Sequence, residues 1–292
     1  MSNTAVFTLD NMPKNTNLVN FSLLQNFHSA VPFRSFSIKY VVEGCENYAV
    51  NGKNYAIKTG NYLLANNFSE GYVEIESKTN VVGICIDIEP VVLSEVVASF
   101  RRPDTAFVDL DLDTFFNSPN FLENSYECRE TNVGLFLQNL DFANTKKIYQ
   151  TEGFSKDFYF AIAEKVVADH IPTFKELQNI ATIKLQTRKD LWRRINQSKV
   201  FIDTYFAQIA NIQEIAKEVG MSEYHFFRTF KAVYGISPHQ YLLHKRLEYA
   251  HKILKNGNFS VSEAALETGF GDIYAFSKAF KKLFGYAPSL KS

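Results

Sequence analysis

Long apolar runs are missing from this 292-residue chain. None approaches the roughly 20 residues that a membrane helix requires, so no transmembrane segment is expected. The start, MSNTAVFTLDNMPKN, lacks a basic end followed by an apolar stretch, and no secretory signal is expected from it. Cysteine is scarce: Cys45, Cys85 and Cys128 form no CxxC pair. An odd number of widely spaced cysteines suits buried thiols in a reducing compartment better than disulfides or zinc. Histidine is absent between residues 29 and 169; the six are His28, His170, His225, His239, His244 and His251. Net charge is lacking too, with 31 Lys+Arg against 31 Asp+Glu.

That zero hides an asymmetry. Residues 1–178 carry 14 basic and 22 acidic side chains, a net of −8, whereas 179–292 carry 17 and 9, a net of +8. An acidic part joined to a basic part fits a chain of which one portion meets nucleic acid. The length allows about two domains of ordinary size. The 46% hydrophobic content is enough for buried cores and excludes a disordered chain.

The basic third contains a repeat. HFFRTFKAVYGISP (225–238) aligns with AFSKAFKKLFGYAP (275–288) at an offset of 50. Upstream, IQEIAKEVGMSE (212–223) aligns with VSEAALETGFGD (261–272) at an offset of 49. Two copies indicate duplication of one small unit, not a solenoid. In each copy apolar residues at helical spacing end at a glycine, Gly220 or Gly269. A capping residue follows, Ser222 or Asp272, and then a second helix that stops at Gly235 or Gly285. This is the pattern of a helix-turn-helix unit.

At 100° per residue the second helix of each copy divides into two faces. Phe226, Phe230 and Val233 point inward in the first, and Phe276, Phe280 and Leu283 in the second. Tyr224, Arg228 and Lys231 point outward, flanked by His225 and Phe227. Their counterparts are Tyr274, Lys278 and Lys281, with Ser277 beside them. Arginine can bridge guanine O6 and N7 in the major groove, and lysine and tyrosine can reach phosphate. One such helix would suit a solvated basic surface. Two at matching positions point to DNA. Between the copies, Tyr241, Leu242, Leu247, Ala250, Ile253 and Leu254 mark an apolar stripe on a helix of about 18 residues, or roughly 27 Å. A rod of that length can hold two recognition helices about one DNA turn (~34 Å) apart.

The stretch from about Ile195 to Pro288 resembles the AraC/XylS family of transcription regulators. The matching segments are IQEIAKEVGMSEYHFFRTFKAVYGISPHQYLLHKRLEYAHKIL and VSEAALETGFGDIYAFSKAFKKLFGYAP. The resemblance implies a module of seven helices, including a linker helix, with both recognition helices on DNA. Phe227 stands where the family usually has a small or polar residue, and Lys278 where arginine is common. Ile273 and Ala275 replace residues that are often polar. The second helix is therefore expected to read fewer bases and to lean on backbone contacts. The usual aromatic-Arg ending is absent after Pro288.

In the acidic part, FSIKYVV, NYAVNG, KNYAIKTGNYLLA, YVEIES and NVVGICIDI read as short strands. Asn51-Gly52 is a hairpin signal, and Thr59-Gly60-Asn61 makes another turn. The pattern suggests a sandwich or barrel and resembles the cupin-like barrel found at this position in AraC-type regulators. With no histidine across the barrel, a metal-dependent enzyme is not expected there. Glu43, Glu46, Glu74 and Glu76 read as solvent-facing strand charges. Tyr40, Tyr48, Tyr55, Tyr62 and Tyr72 suit either a pocket lining or strand packing. EPVVLSEVVASF (89–100) reads as a short helix. The acidic VDLDLDTFF (108–116) lacks the glycine and distal glutamate of a calcium loop. Helices are expected at about 121–140 and 155–170, the latter packing on the barrel or forming a dimer interface. Arg188, Lys189, Arg193 and Arg194 begin the first DNA-domain helix, on phosphate or in solvent.

The expected fold is α+β: an N-terminal cupin-like β-barrel with flanking helices (1–175), a connector (176–189), and a C-terminal all-α domain (190–292) with two helix-turn-helix units joined by a linker helix. The expected function is cytoplasmic, sequence-specific transcription regulation through double-stranded promoter DNA, without catalytic residues, metal or cofactor. Control would come from a small-molecule effector, with unassigned binding residues, or from homodimerisation. RNA polymerase is a further expected partner, and a membrane is not. The alternatives are a non-metal cupin-type enzyme, or a ligand-independent architectural protein, with a DNA-binding tail.

Overall fold

The computed structural model describes residues 15–100, 109–140, 154–180, 185–257 and 259–289. The chain divides into two compact units, Met1–Phe174 and Lys175–Ser292. The first is built on seven antiparallel strands: β1 (Leu18–Pro32), β2 (Phe36–Glu43), β3 (Cys45–Val50), β4 (Lys53–Lys58), β5 (Asn61–Ala65), β6 (Glu70–Ile88) and β7 (Asn124–Glu127). The order is β4-β3-β6-β2-β5-β7, with β1 on the remaining edge of β6. The 19 residues of β6 pair with β1 along most of their length. On its other edge β6 pairs with β3 near its start and with β2 near its end. The Tyr55 hydroxyl of β4 donates to the Glu123 carbonyl just before β7, at 3.2 Å. The sheet is thus curled and barrel-like. Asn51, at φ 49°, and Gly52 make the β3–β4 turn.

Val31, Val41, Tyr48, Val50, Ile57, Leu63, Val73, Ile75 and Val81 fill the inner face. The helices are α1 (Pro90–Ser99), α2 (Asp109–Phe116), α3 (Asn132–Gln138) and α4 (Lys156–Gln178); Phe116 of α2 meets Phe36 on the opposite face, and His170 of α4 meets Tyr126 of β7. The five strand tyrosines do not share one surface. Tyr48 and Tyr55 belong to the inner cluster. Tyr62 stacks on Tyr126 at 5.4 Å and donates to Thr131 Oγ1, while Tyr72 is exposed. The acidic 109–116 segment is a helix with Leu112, Phe115 and Phe116 buried, and its Asp113 accepts from Ser94 and Asn117.

The expected helix at 121–140 is corrected. Asn124–Glu127 is instead a strand on β5, followed by a short turn and then α3. The β5 edge offers backbone hydrogen bonds, and the Tyr62–Tyr126 stack fixes the pairing. The expected helix at 155–170 continues through the exposed Pro172 to Gln178. Its Ile162, Ala163 and Val166 are buried within the single chain, so this face packs internally. Of the expected connector 176–189, α4 occupies the start, and α5 (Leu185–Tyr205) begins within it.

His170 of α4 lies among Phe115, Phe116 and Phe121. Its Nδ1 is 2.8 Å from the Val166 carbonyl and its Nε2 3.2 Å from the Tyr126 hydroxyl. The neutral ring satisfies both, donating from Nδ1 and accepting at Nε2. Burial pushes its pKa below the ordinary histidine value. An unfolded histidine titrates near about 6.5, so this contribution is complete above that pH and fades as pH falls through the lowered native value. The N-terminal unit should lose stability between pH 7.5 and 5, by at most roughly 1.4 kcal/mol per pH unit from this group. Urea titrations of the full chain at several pH values check this. A His170→Gln variant with the wild-type pH slope would rule His170 out as the source.

Candidate nucleic-acid interface

After α5 the second unit repeats one local design twice. In the first copy, α6 (Ile212–Glu218) is capped by Asn211, whose side chain accepts from Glu214 N. Gly220, at φ 63°, makes the turn, and Met221 N donates to the Ala216 carbonyl at 2.9 Å. Ser222 caps α7 (Glu223–Tyr234), and Gly235 ends it in the left-handed region. In the second copy, Ser260 and Glu263 form a capping box on α9 (Val261–Glu267). Gly269, at φ 77°, makes the turn, and Phe270 N donates to the Ala265 carbonyl at 2.9 Å. Asp272 caps α10 (Ile273–Phe284) twice, accepting from Tyr274 N and Ala275 N, and Gly285 ends it. Both turns need a positive φ, which glycine supplies without steric cost. Between the copies runs α8 (Pro238–Lys255), capped by a Ser237–Gln240 box.

Phe226, Phe230 and Val233 anchor α7, and Phe276 and Phe280 anchor α10. Leu283 departs from its expected inward position, at 38% exposure. The aromatic beside it takes the core site: Phe284 stacks on His251 of α8 at 4.6 Å and meets Phe280 at the same separation.

The outward faces emerge as expected. Tyr224 is 70% and Tyr274 83% exposed. His225, Phe227, Arg228 and Lys231 are exposed on α7, as are Lys278 and Lys281 on α10, with Ser277 half-buried beside them. Arg228 stretches back over the Tyr224 ring, 5.7 Å from its centroid, and donates to its hydroxyl at 3.4 Å. The guanidinium is thereby pre-aligned on the exposed face. Each helix presents an aromatic hydroxyl followed, four and seven residues on, by cations.

A family model described as a helix-turn-helix domain matches residues 215–290. Over 97 residues the chain is 29% identical to the HTH-type transcriptional regulator ExsA of Pseudomonas aeruginosa, covering 33% of this chain and 35% of that protein. Over 89 residues it is 35% identical to the virulence regulon transcriptional activator VirF of Yersinia enterocolitica, covering 30% of this chain and 33% of that one. The C-terminal module is a helix-turn-helix domain, similar to the corresponding segments of these regulators. Likeness to solved structures extends further along the chain at lower similarity: ToxT of Vibrio cholerae O395 is 15% identical, with a TM-score of 0.36, over 94% of this chain and 97% of that one. The matched segment spans about a third of the length of these curated relatives.

This helix-turn-helix module has six helices among its described residues, where the resemblance implies seven. Its leading basic run lies neither wholly in solvent nor in one role. Lys189 is buried, and Arg188 and Arg193 are half-buried. Arg194 pairs with Asp190 and donates to the Val219 and Gly220 carbonyls, clamping the first turn.

A second group of polar residues escaped the sequence reading. On the inner face of the N-terminal sheet, Lys39 pairs with Cys85 and Ser37 with Asp87 across β2 and β6. Lys39 Nζ lies 2.6 Å from Cys85 Sγ, and Ser37 donates to Asp87. Glu46, expected in solvent, is 4% exposed and accepts from Tyr48 at 2.7 Å and from Ser22. It fits because Gly83 leaves space: a Cβ there would stand 2.6 Å from both Glu46 Oε1 and Ser22 Oγ. Burial works against the Lys39 charge, but Cys85, Asp87 and Glu46 overcome it and hold its pKa above the ordinary lysine value. Burial pushes the Cys85 thiol up to about 12, against the opposing pull of Lys39. Burial likewise raises the Glu46 carboxyl. The alternation of β2, β3 and β6 could have flagged these positions, but pairing partners 46 to 50 residues apart are not visible in it. Among the described residues, no three His, Cys, Asp or Glu side chains are grouped to hold a metal ion, and no helix is long and apolar enough to cross a membrane.

Proposed function

We propose that this chain is a sequence-specific, DNA-binding transcription regulator that acts in the cytoplasm and is not an enzyme. One observation carries the reading: the outward residue pattern recurs at equivalent positions of two capped helices, each fixed by buried phenylalanines. Tyr224, His225, Phe227, Arg228 and Lys231 form one DNA-facing set, and Tyr274, Ser277, Lys278 and Lys281 the other. In this reading residues 190–292 meet promoter DNA, 176–189 connect, and 1–175 receive a small-molecule effector or a second copy of the chain. The descriptions of ExsA as a transcriptional regulator and VirF as a transcriptional activator support it, with RNA polymerase the partner that activation requires.

Gel-shift titration of the full chain tests the reading. Binding should prefer particular duplexes and weaken with salt as counterions are released. Sequence-indifferent binding, or none, would overturn it. Within that assay Arg228→Ala should cost about 1–3 kcal/mol and relax preference at one base position. Lys281→Ala should weaken all sequences evenly and lower the salt slope by about 1.

A further inference from the structure

Each turn glycine of the module lies against an arginine from the preceding long helix, and the two arginines are used differently. A Cβ at Gly220 would stand 3.2 Å from Arg194 Nη1, and Arg194 donates to the Val219 and Gly220 carbonyls of that same turn. This clip stays inside the first unit. A Cβ at Gly269 would stand 3.0 Å from Arg246 Nη2. Arg246 donates elsewhere: Nε to the Phe206 carbonyl at 2.9 Å and Nη2 to the Ile209 carbonyl at 2.6 Å. Those carbonyls lie in the loop between α5 and α6, the entrance to the first unit. The second turn touches the same loop directly, because a Cβ at Gly269 would be 2.3 Å from the Ala207 carbonyl oxygen. Rings close the junction: Phe270 lies 6.0 Å from the Arg246 guanidinium, and Phe206 packs on Tyr249 of α8 at 5.2 Å.

We propose that Arg246 is a positioning residue that locks the two helix-turn-helix units into one reader of fixed spacing. A linker helix alone transmits bending and twisting through its ends. A charge-assisted pair of hydrogen bonds from mid-helix to the first unit, with the second unit's turn seated on the same loop, removes that freedom. The two outward faces are then held at one separation and one rotation. A duplex with its half-sites at the matching spacing gains from both units at once, and a duplex with altered spacing does not. Gly269 is required for a second reason beyond its φ: any side chain would push the turn off the Ala207 carbonyl.

The proposal rests on the DNA-binding reading for its consequence but not for its geometry, so the test has two arms. In the free full chain, on a cysteine-free background, nitroxide labels at Ala232→Cys and Lys282→Cys report the separation of α7 and α10. Both positions are exposed. The distance distribution should be narrow, and Arg246→Ala or Gly269→Ala should broaden it. Unchanged distributions in both variants would overturn the lock whether or not the protein binds DNA.

The second arm uses duplexes selected from a random pool by the wild-type chain, together with versions carrying about 5 added base pairs between half-sites, or half a turn. Wild type should lose roughly tenfold or more in affinity on insertion. Arg246→Ala should bind both versions about equally, at the level of a single half-site. A variant that keeps the wild-type spacing preference overturns the proposal. So does loss of single-half-site binding in both variants, which would make the contact a general folding requirement. Broadened distances in the variants, with a wild-type chain that itself binds no duplex, would sustain the lock and count against the DNA-binding reading instead.

Discussion

Phe276→Ala is expected to cost the C-terminal unit about 3–5 kcal/mol, the largest loss from any single truncation considered for it. Phe276 is fully buried and packs edge-on to Phe270 at 5.1 Å and beside Phe280 at 5.7 Å. It shares a cluster with Leu247, Ala250 and Ala265, so the missing ring leaves a void bounded by α8, α9 and α10. Two residues earlier, Tyr274→Ala on the exposed face should change stability by no more than about 0.5 kcal/mol. The contrast separates fold from function within one helix. Tyr274→Ala should lose duplex affinity while staying folded, and Phe276→Ala should lose both. The lone tryptophan, Trp192, is buried in the same unit and donates to Glu176 at 2.8 Å, so its fluorescence during urea unfolding of the full chain reports the change. A loss below about 1 kcal/mol for Phe276→Ala would contradict the packing described.

Lys39→Ala should be comparably severe in the N-terminal unit, at about 3 kcal/mol. Removing Lys39 takes the cation away from the buried Glu46 and the half-buried Asp87, which are then left uncompensated on the inner face. The cost should shrink as pH is lowered from 8 to 5, because burial already raises the Glu46 carboxyl and its protonation relieves the loss. Asp87→Asn added to Lys39→Ala should recover part of the loss, since the two residues act on one another and their effects do not add. Thermal melts of the full chain, followed by near-ultraviolet circular dichroism, measure each variant. Equal losses for the single and double variants at every pH would dismiss the electrostatic account.

The C-terminal module was legible in the sequence because nearly everything that shapes it is local. A cap, an apolar stripe, a turn glycine and a stop glycine all fall within about a dozen residues, and the duplication states them twice. Ser222, Asp272, Gly235 and Gly285 each act at the position their chemistry dictates. Leu283 was misplaced because an ideal 100° projection knows nothing of His251, which draws Phe284 inward in its stead. The N-terminal strands were legible from β-branched and aromatic runs, but β7 was not. Four residues carry too little periodicity, and Tyr126 becomes a strand residue only by stacking on Tyr62, 64 positions away. Glu46 was assigned to solvent for a related reason. Its burial depends on Gly83 and Tyr48, and a space left by a distant glycine has no signature in a single sequence. Arg246 was hidden likewise, since the carbonyls it holds lie 37 to 40 residues earlier.

The split of α7 into a buried side and an exposed side bears on how such a protein changes over generations. Phe226, Phe230 and Val233 hold the helix in place, while Tyr224, Arg228 and Lys231 contribute little to holding it. Exchanges on the outer side therefore leave the scaffold nearly untouched. The same division in α10 makes each outer face separately changeable. If the outer faces meet DNA as proposed, one helix can drift toward a new target while its twin keeps the old one, and targets can change in steps with no folding defect along the way.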